Sequence, residues 1–339
     1  MGSTSNRLKE GVRRWYGSRQ LSLDSRQLVA FSGGADSTAL LFILSELYRM
    51  AGLPLSQLKA AYLNHNIRSS AELENEIAML KKNTEKFGVE LIIASVSEGE
   101  LDERARNEKR SLEDVAREAR YDFFERLIRE EDFDYLVLAH HGNDQAETMV
   151  TRYFQGSGFS GLGGIRPVQG KRIRPLLSYP KAELVACLEE ENITWSEDST
   201  NGDNQILRND LRSSLMPRIE KTFPGYERSL NQLSEKIFRY EECLAEMGDR
   251  LPWVFEADHC HMDRELFLGA HPAIREFSLY SAIDRLLQGI RLSGGKGRRV
   301  PYRFIRPLLE KEAPRTLNLQ GHALSISLNQ DKIVLKRRD

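Results

Sequence analysis

Apolar positions in the first part of the chain follow two periods in turn. Residues 27–31 (QLVAF) are a short apolar run, and residues 38–50 repeat leucines at helical spacing. Between them stands Ser32-Gly33-Gly34-Ala35-Asp36-Ser37, so the pattern predicts strand, loop and helix. The alternation continues with strands predicted over 58–64, 89–96 and 135–139 and helices over 71–87, 112–129 and 144–154. A basic helix at 8–16 precedes them, and 156–164, with five glycines, reads as loop. Strands separated by helices of this length predict parallel βαβ units. The expected fold is α/β, a doubly wound parallel sheet with helices on both faces and its ligand at the carboxyl ends of the strands.

Beyond residue 209 the alternation stops. Residues 211–247 look helical with a break at 223–225, helix dominates to about 288, and 317–319, 322–328 and 332–336 alternate like short antiparallel strands. Two domains are therefore expected, 1–215 and a smaller, mainly helical 216–339 with a short β end. A length of 339 residues agrees with two cores.

Composition narrows the classes. Hydrophobic residues at 40% and charged residues at 29% describe a folded globular chain. No apolar run nears the roughly 18 to 20 residues that cross a bilayer, and the first residues lack a secretory signal, so a cytoplasmic protein with no membrane partner is expected. The three cysteines, Cys187, Cys243 and Cys260, are far apart without a C-x-x-C pair; buried thiols are expected, not a disulfide framework or a cysteine metal knuckle. The net charge of −1 gives no argument for nucleic acid. Two stretches free of Asp and Glu do: Arg166, Lys171, Arg172, Arg174 and Lys181, and then Arg291, Lys296, Arg298, Arg299, Arg303 and Arg306.

The glycine-rich turn is the strongest chemical signal. Glycines let backbone N–H groups approach an anion, Ser32 and Ser37 add hydroxyls, and the helix N-terminus adds positive partial charge. The turn lacks the Gly-Lys-Ser/Thr ending of a Walker A loop and is not G-x-G-x-x-G, which removes kinase, GTPase and dehydrogenase readings. Asp36 beside a phosphate cradle calls for a bridging cation such as Mg²⁺. A second run, His140-His141-Gly142-Asn143-Asp144-Gln145-Ala146-Glu147-Thr148, stands where the strand over 135–139 gives way to a helix. Asp144, Glu147 and Thr148 share one helix face there, near the phosphate turn.

Together these runs resemble the S-G-G-x-D-S pyrophosphatase loop and the H-H-x-x-D-x-x-E-T segment of the lysidine synthetase family, PP-loop enzymes with an adenine nucleotide alpha hydrolase-like fold. The likeness continues through Gly156-Ser157-Gly158, Gly161-Leu162, Arg174-Pro175-Leu176-Leu177, Glu197-Asp198, Asn201 and Arg208-Asn209, spanning 29–217. It implies a ligase that splits ATP to AMP and pyrophosphate and joins L-lysine to C2 of the wobble cytidine of isoleucine tRNA with the CAU anticodon, through an adenylated cytidine. It implies that Ser32, Gly33, Gly34, Ala35, Asp36, Ser37 and His140 bind ATP, with Asp36 on Mg²⁺. Asp36, Asp144, Glu147 and Arg208 would be catalytic; Asp144, Glu147, Arg208 and Asn209 would bind substrate. The 216–339 domain would contact tRNA, and a homodimer is left open. Two other classes stay open as well: a related tRNA thiolase, against which the missing C-x-x-C speaks, and a nucleotide-binding module without catalysis.

Overall fold

The computed structural model describes residues 3–66, 70–196, 210–287, 300–310, 317–321 and 324–338. Two compact units make up the chain: Met1–Ser157 with Gly163–Ser234, and Gly158–Leu162 with Glu235–Asp339. Packing thus divides the chain after Ser234, later than the 215 read from the loss of alternation. The reason is visible in the side chains: Glu227 bonds to Asn143, and Ser234 donates to Gly163 O at 2.6 Å, so residues up to 234 belong with the first unit.

In the first unit, strands β1 (Gln27–Ala30), β2 (Leu58–Asn64), β3 (Glu90–Ser95), β4 (Tyr135–Val137), β5 (Val168–Gln169) and β6 (Arg172–Ile173) form one sheet in the order β3-β2-β1-β4-β6-β5. All pairings are parallel except β5 with β6. Helices α1 (Thr4–Ser18), α2 (Ala35–Met50), α3 (Ser70–Phe87), α4 (Glu100–Glu108), α5 (Leu112–Glu130), α6 (Gly142–Phe154) and α8 (Lys181–Glu190) interleave with the strands in sequence, while the short α7 (Phe159–Leu162) belongs to the second unit.

The two-residue period of the strands sorts their side chains into two cores. Val29, Ala60, Val137 and Ile173 face one side, with Leu8 and Val12 of α1, Leu40 and Leu44 of α2 and Leu184 and Leu188 of α8. Leu28, Ala61, Leu63 and Leu136 face the other, with Phe123, Phe124 and Leu127 of α5. Both faces of β1 are therefore covered, which is why it reads as an unbroken apolar run. Each fully buried leucine among these contributes about 1.5–3 kcal/mol.

In the second unit, five strands run in the order β7-β8-β11-β10-β9, from β7 (Val254–Phe255), β8 (His259–Asp263), β9 (Leu317–Gly321), β10 (Leu324–Leu328) and β11 (Lys332–Arg337), all antiparallel. Cys260, Met262, Ile326 and Leu335 pack with Leu279 and Ile283 of the helix Pro272–Leu286. Strands β7 and β8 fall where helix was expected: β8 carries Cys and Met at its inward positions, not the β-branched residues that usually advertise a strand.

Candidate active site at the sheet's switch point

The strand order reverses at β1, with β2 on one side and β4 on the other. Connections leaving β1 and β4 then part to opposite sides and open a crevice at the carboxyl ends. Both sequence motifs lie there, the glycine-rich turn after β1 and the histidine run after β4.

The turn is held by hydroxyl and backbone hydrogen bonds. Gly33 has φ +76°, and a Cβ on it would lie 2.7 Å from Leu80 Cδ2. Its carbonyl accepts from Thr38 Oγ1 at 3.2 Å and from the Ser196 N–H at 2.9 Å. Ser37 Oγ accepts from the Ser32 N–H at 3.2 Å and donates to Gly34 O at 3.1 Å. Gly34 is the N-cap of α2 and no side chain caps that helix. Its first-turn N–H groups and its dipole are what an anion requires.

After β4, His140 is half-buried and His141 is the buried N-cap of α6. The His141 N–H donates to Asp144 Oδ2 at 3.1 Å, and its Nε2 lies 3.5 Å from Asp36 Oδ2 and 3.5 Å from Asp144 Oδ2. One imidazole thus links the two motifs. Gly142 donates to Tyr179 O at 2.7 Å, and a Cβ there would sit 3.0 Å from that oxygen. Lys181 Nζ approaches Asp36 Oδ2 at 3.9 Å.

Asp144 and Glu147 meet Arg212, from the single π-helical turn Leu211–Leu215. Arg212 Nε lies 2.6 Å from Glu147 Oε1, and its Nη2 lies 3.0 Å from Asp144 Oδ1. The carboxylates are only 11% and 8% exposed, whereas Arg212 is 41% exposed, so water reaches the pair from the guanidinium side. Burial works against the Arg212 charge, but the Glu147 hydrogen bond and the charges of Glu147, Asp144 and Asp36 outweigh it and raise the guanidinium pKa. Thr148 turns its hydroxyl back to Asp144 O at 2.7 Å. Gln145, deeper in the unit, donates to Gly163 O at 2.9 Å and accepts from the Ile165 N–H at 2.6 Å, fixing the end of the glycine-rich loop.

Burial likewise opposes a charged His141, yet the Asp36 hydrogen bond and the charges of Asp144 and Asp36 win, and the imidazole pKa rises above 6.5. A raised folded-state pKa contributes stability that is fully present below the unfolded value and is lost as pH rises through the folded one. Wild type should therefore exceed His141→Asn in urea-unfolding stability by most below the ordinary imidazole range, with the gap narrowing as pH rises through the raised folded-state value. A gap that is constant or widens with pH would contradict this assignment. The β2 strand delivers another histidine to its carboxyl end: His65 is pulled down to about 4 by burial and by the charge of Arg120.

A family model described as a PP-loop domain matches residues 5–219. A tRNA(Ile)-lysidine synthase of Chlorobaculum tepidum is 31% identical over 303 residues, covering 86% of this chain and 85% of that protein. The chain belongs to the tRNA(Ile)-lysidine synthase family of PP-loop proteins. Two further lysidine synthases are similar: that of Treponema denticola at 32% identity over 91% of this chain and 65% of its own length, and that of Borrelia garinii subsp. bavariensis at 39% over 62% and 46%. The chain spans about half the length of the Borrelia relatives it matches. Among solved structures, the U34-tRNA thiolase NcsA from Methanococcus maripaludis with its [4Fe-4S] cluster superposes with TM-score 0.57 at 24% identity, over 70% of this chain and 80% of that one, a likeness of fold.

Within this lysidine synthase frame, the structure brings together Ser32, Gly33, Gly34, Ala35, Asp36 and Ser37 with Asp144 and Glu147. Arg208 and Asn209 lie outside the described residues, as do Glu197, Asp198, Asn201 and the basic run from Arg291 to Arg299. Sequence reasoning missed Arg212 and the linking role of His141. Arg212 stands at the start of the 211–247 stretch with helical pattern, close in sequence to Arg208-Asn209, and that proximity is the signal that could have marked it. The first basic stretch is largely spent on the fold. Lys171 donates to Phe133 O at 2.8 Å, Arg172 pairs with Glu125 and covers Tyr121 at 4.6 Å, and Arg174, 5% exposed, donates to Arg166 O. Cys187 and Cys260 are buried as expected, but Cys243 is exposed. Among the described residues no helix is long and apolar enough to cross a membrane.

Proposed function

We propose that this chain joins L-lysine to C2 of the wobble cytidine in isoleucine tRNA with the CAU anticodon, consuming ATP and forming lysidine. The observation that carries the reading is the anion-binding turn with Asp36 set beside Asp144, Glu147 and Arg212, linked by His141. One half suits a polyphosphate and the other an amine.

In the first step, the cytidine O2 attacks the α-phosphorus of ATP; an O–P bond forms and pyrophosphate leaves. The turn from Ser32 to Ser37 holds the departing phosphates at the α2 N-terminus. Asp36 Oδ1 is buried without a hydrogen-bond partner in the described structure, and a carboxylate oxygen of that kind beside an anion cradle fits Mg²⁺. Mg²⁺ there would neutralise phosphate charge during the displacement. His141 and the neighbouring His140 are placed to reach the adenylate.

In the second step, the lysine ε-amine attacks C2; a C–N bond forms, the C–O bond breaks, and AMP leaves with the oxygen. An amine with a pKa near 10.4 reacts only when neutral, so a carboxylate must take its proton. Asp144 and Glu147 are suited to orient it and accept that proton, with Arg212 giving up part of its contact to them. Arg208 and Asn209 stay in the proposal as a clamp on phosphate or on the lysine carboxylate. The cytoplasm is the location that goes with these substrates.

A thiolase reading is weaker. Cys187 is the sole cysteine within the matched span 5–219, too few for a cluster held by several thiolates. The deciding experiment is retention of radiolabelled lysine on isoleucine tRNA transcript. Label is expected only with ATP and not on a methionine tRNA. Absence of both label and tRNA-dependent pyrophosphate release would overturn the proposal.

A further inference from the structure

A second group of ligand-type side chains lies in the five-stranded sheet. Strands β7 and β8 form an antiparallel hairpin with Val254 opposite His261 and Phe255 opposite Cys260. The turn brings Glu256 back along β8, its N–H donating to His259 O at 2.8 Å. Strand period places His259 and His261 on one face, opposite the buried Cys260 and Met262. Their rings are nearly parallel, with centroids 6.1 Å apart and planes at 25°.

The contacts of His259 are those of a ligand. Its Nδ1 lies 2.8 Å from Asp258 Oδ1, so that nitrogen carries the proton and donates. In the neutral ring Nε2 is then an acceptor, and it faces another acceptor, Glu256 Oε1, at 3.4 Å. The same carboxylate oxygen lies 3.8 Å from His261 Nδ1. One ligand atom from each of the three residues falls within 4.8 Å of the others. Two acceptors facing each other, as His259 Nε2 and Glu256 Oε1 do, are relieved by a cation between them, and a metal ion supplies one.

We propose that Glu256, His259 and His261 form a binding site for a divalent transition-metal ion of the zinc type. Two imidazoles and one carboxylate suit Zn²⁺ and its neighbours, not Mg²⁺ or Ca²⁺, which prefer oxygen throughout. Tetrahedral bonds of about 2.0 Å set ligand atoms roughly 3.3 Å apart, so the Glu256 contacts need to shorten by tenths of an ångström and the two imidazole nitrogens, within 4.8 Å of each other, need to draw together as well. Asp258 supplies the carboxylate behind the histidine that such sites use to fix the tautomer, and Lys336 holds Asp258 at 3.3 Å. Glu256 is 53% exposed, which leaves a path for the ion and room for water as a fourth ligand. The ion would clasp β7, a two-residue strand at the sheet edge, onto β8. This site does not depend on the lysidine reading.

The test is calorimetric titration of the full chain with Zn²⁺ alongside thermal unfolding. Wild type and Cys243→Ser should bind one equivalent more than His259→Ala/His261→Ala, and zinc should raise the unfolding midpoint of the first two only. Asp258→Asn should weaken that equivalent about tenfold or more. Glu256→Gln, at an exposed position, decides the matter if the double variant does not fold: it should lose at least tenfold in affinity. Zinc stoichiometry and affinity equal to wild type in the variants would overturn the proposal.

Discussion

Replacing Asp36 by asparagine is expected to slow ATP-dependent lysine transfer about 10³-fold, with far-UV circular dichroism unchanged. The side chain keeps its shape and its place in the first turn of α2, so the helix loses only the favourable charge at its N-terminus, about 0.3–1 kcal/mol. What vanishes is the negative oxygen beside the anion cradle. Single-turnover pyrophosphate release at saturating ATP and Mg²⁺ measures the loss in the adenylation step directly. A variant within tenfold of wild type would remove Asp36 from the metal role, whereas a wild type that neither transfers lysine nor releases pyrophosphate would favour the nucleotide-binding module without catalysis.

The second large effect belongs to Arg212. Substitution by methionine keeps the stem but takes the guanidinium away from Asp144 and Glu147, both nearly buried. Removing one partner of a buried pair costs about 3–5 kcal/mol; because Arg212 is 41% exposed and partly screened, a loss of roughly 2–3 kcal/mol is expected at neutral pH. Urea unfolding checks it. Glu147→Gln in the Arg212→Met background should recover part of the loss, since the buried carboxylate that loses the guanidinium is itself removed. Strict additivity of the two substitutions would show that the pair carries no coupling. Lysine transfer should fall in Arg212→Met and return only partly in Arg212→Lys, whose single ammonium cannot span both carboxylates as the guanidinium does.

Strands β1 to β4 were legible because they are short apolar runs flanked by helices of clear period, whereas β5 and β6, two residues each and partly polar, were not. Residues 58–64 coincide with β2, and 135–139 overlap β4. The site was legible for a similar reason: the turn after β1 and the run after β4 are contiguous words, and parallel strands deliver both to one edge. Arg212 was not legible, because its partners lie 65 and 68 residues away and nothing local distinguishes a guanidinium aimed at two carboxylates from one in water. His141 and His140 are adjacent and chemically equal in the sequence; only the N-cap geometry of α6 turns the former toward Asp36. The hairpin of β7 and β8 escaped because Cys260 and Met262 fill its inward positions.

Asp36, Asp144 and Glu147 share the crevice with His141, Lys181 and Arg212. With the imidazole protonated, the described crevice is close to electroneutral before anything enters it. A bare polyphosphate would then add negative charge beside these six groups, at low local dielectric where surplus charge is costly. A nucleotide should partition into this crevice as a salt, its own cation travelling with it. Nucleotide affinity and divalent-ion concentration are thereby coupled thermodynamically, each tightening the other by the same factor.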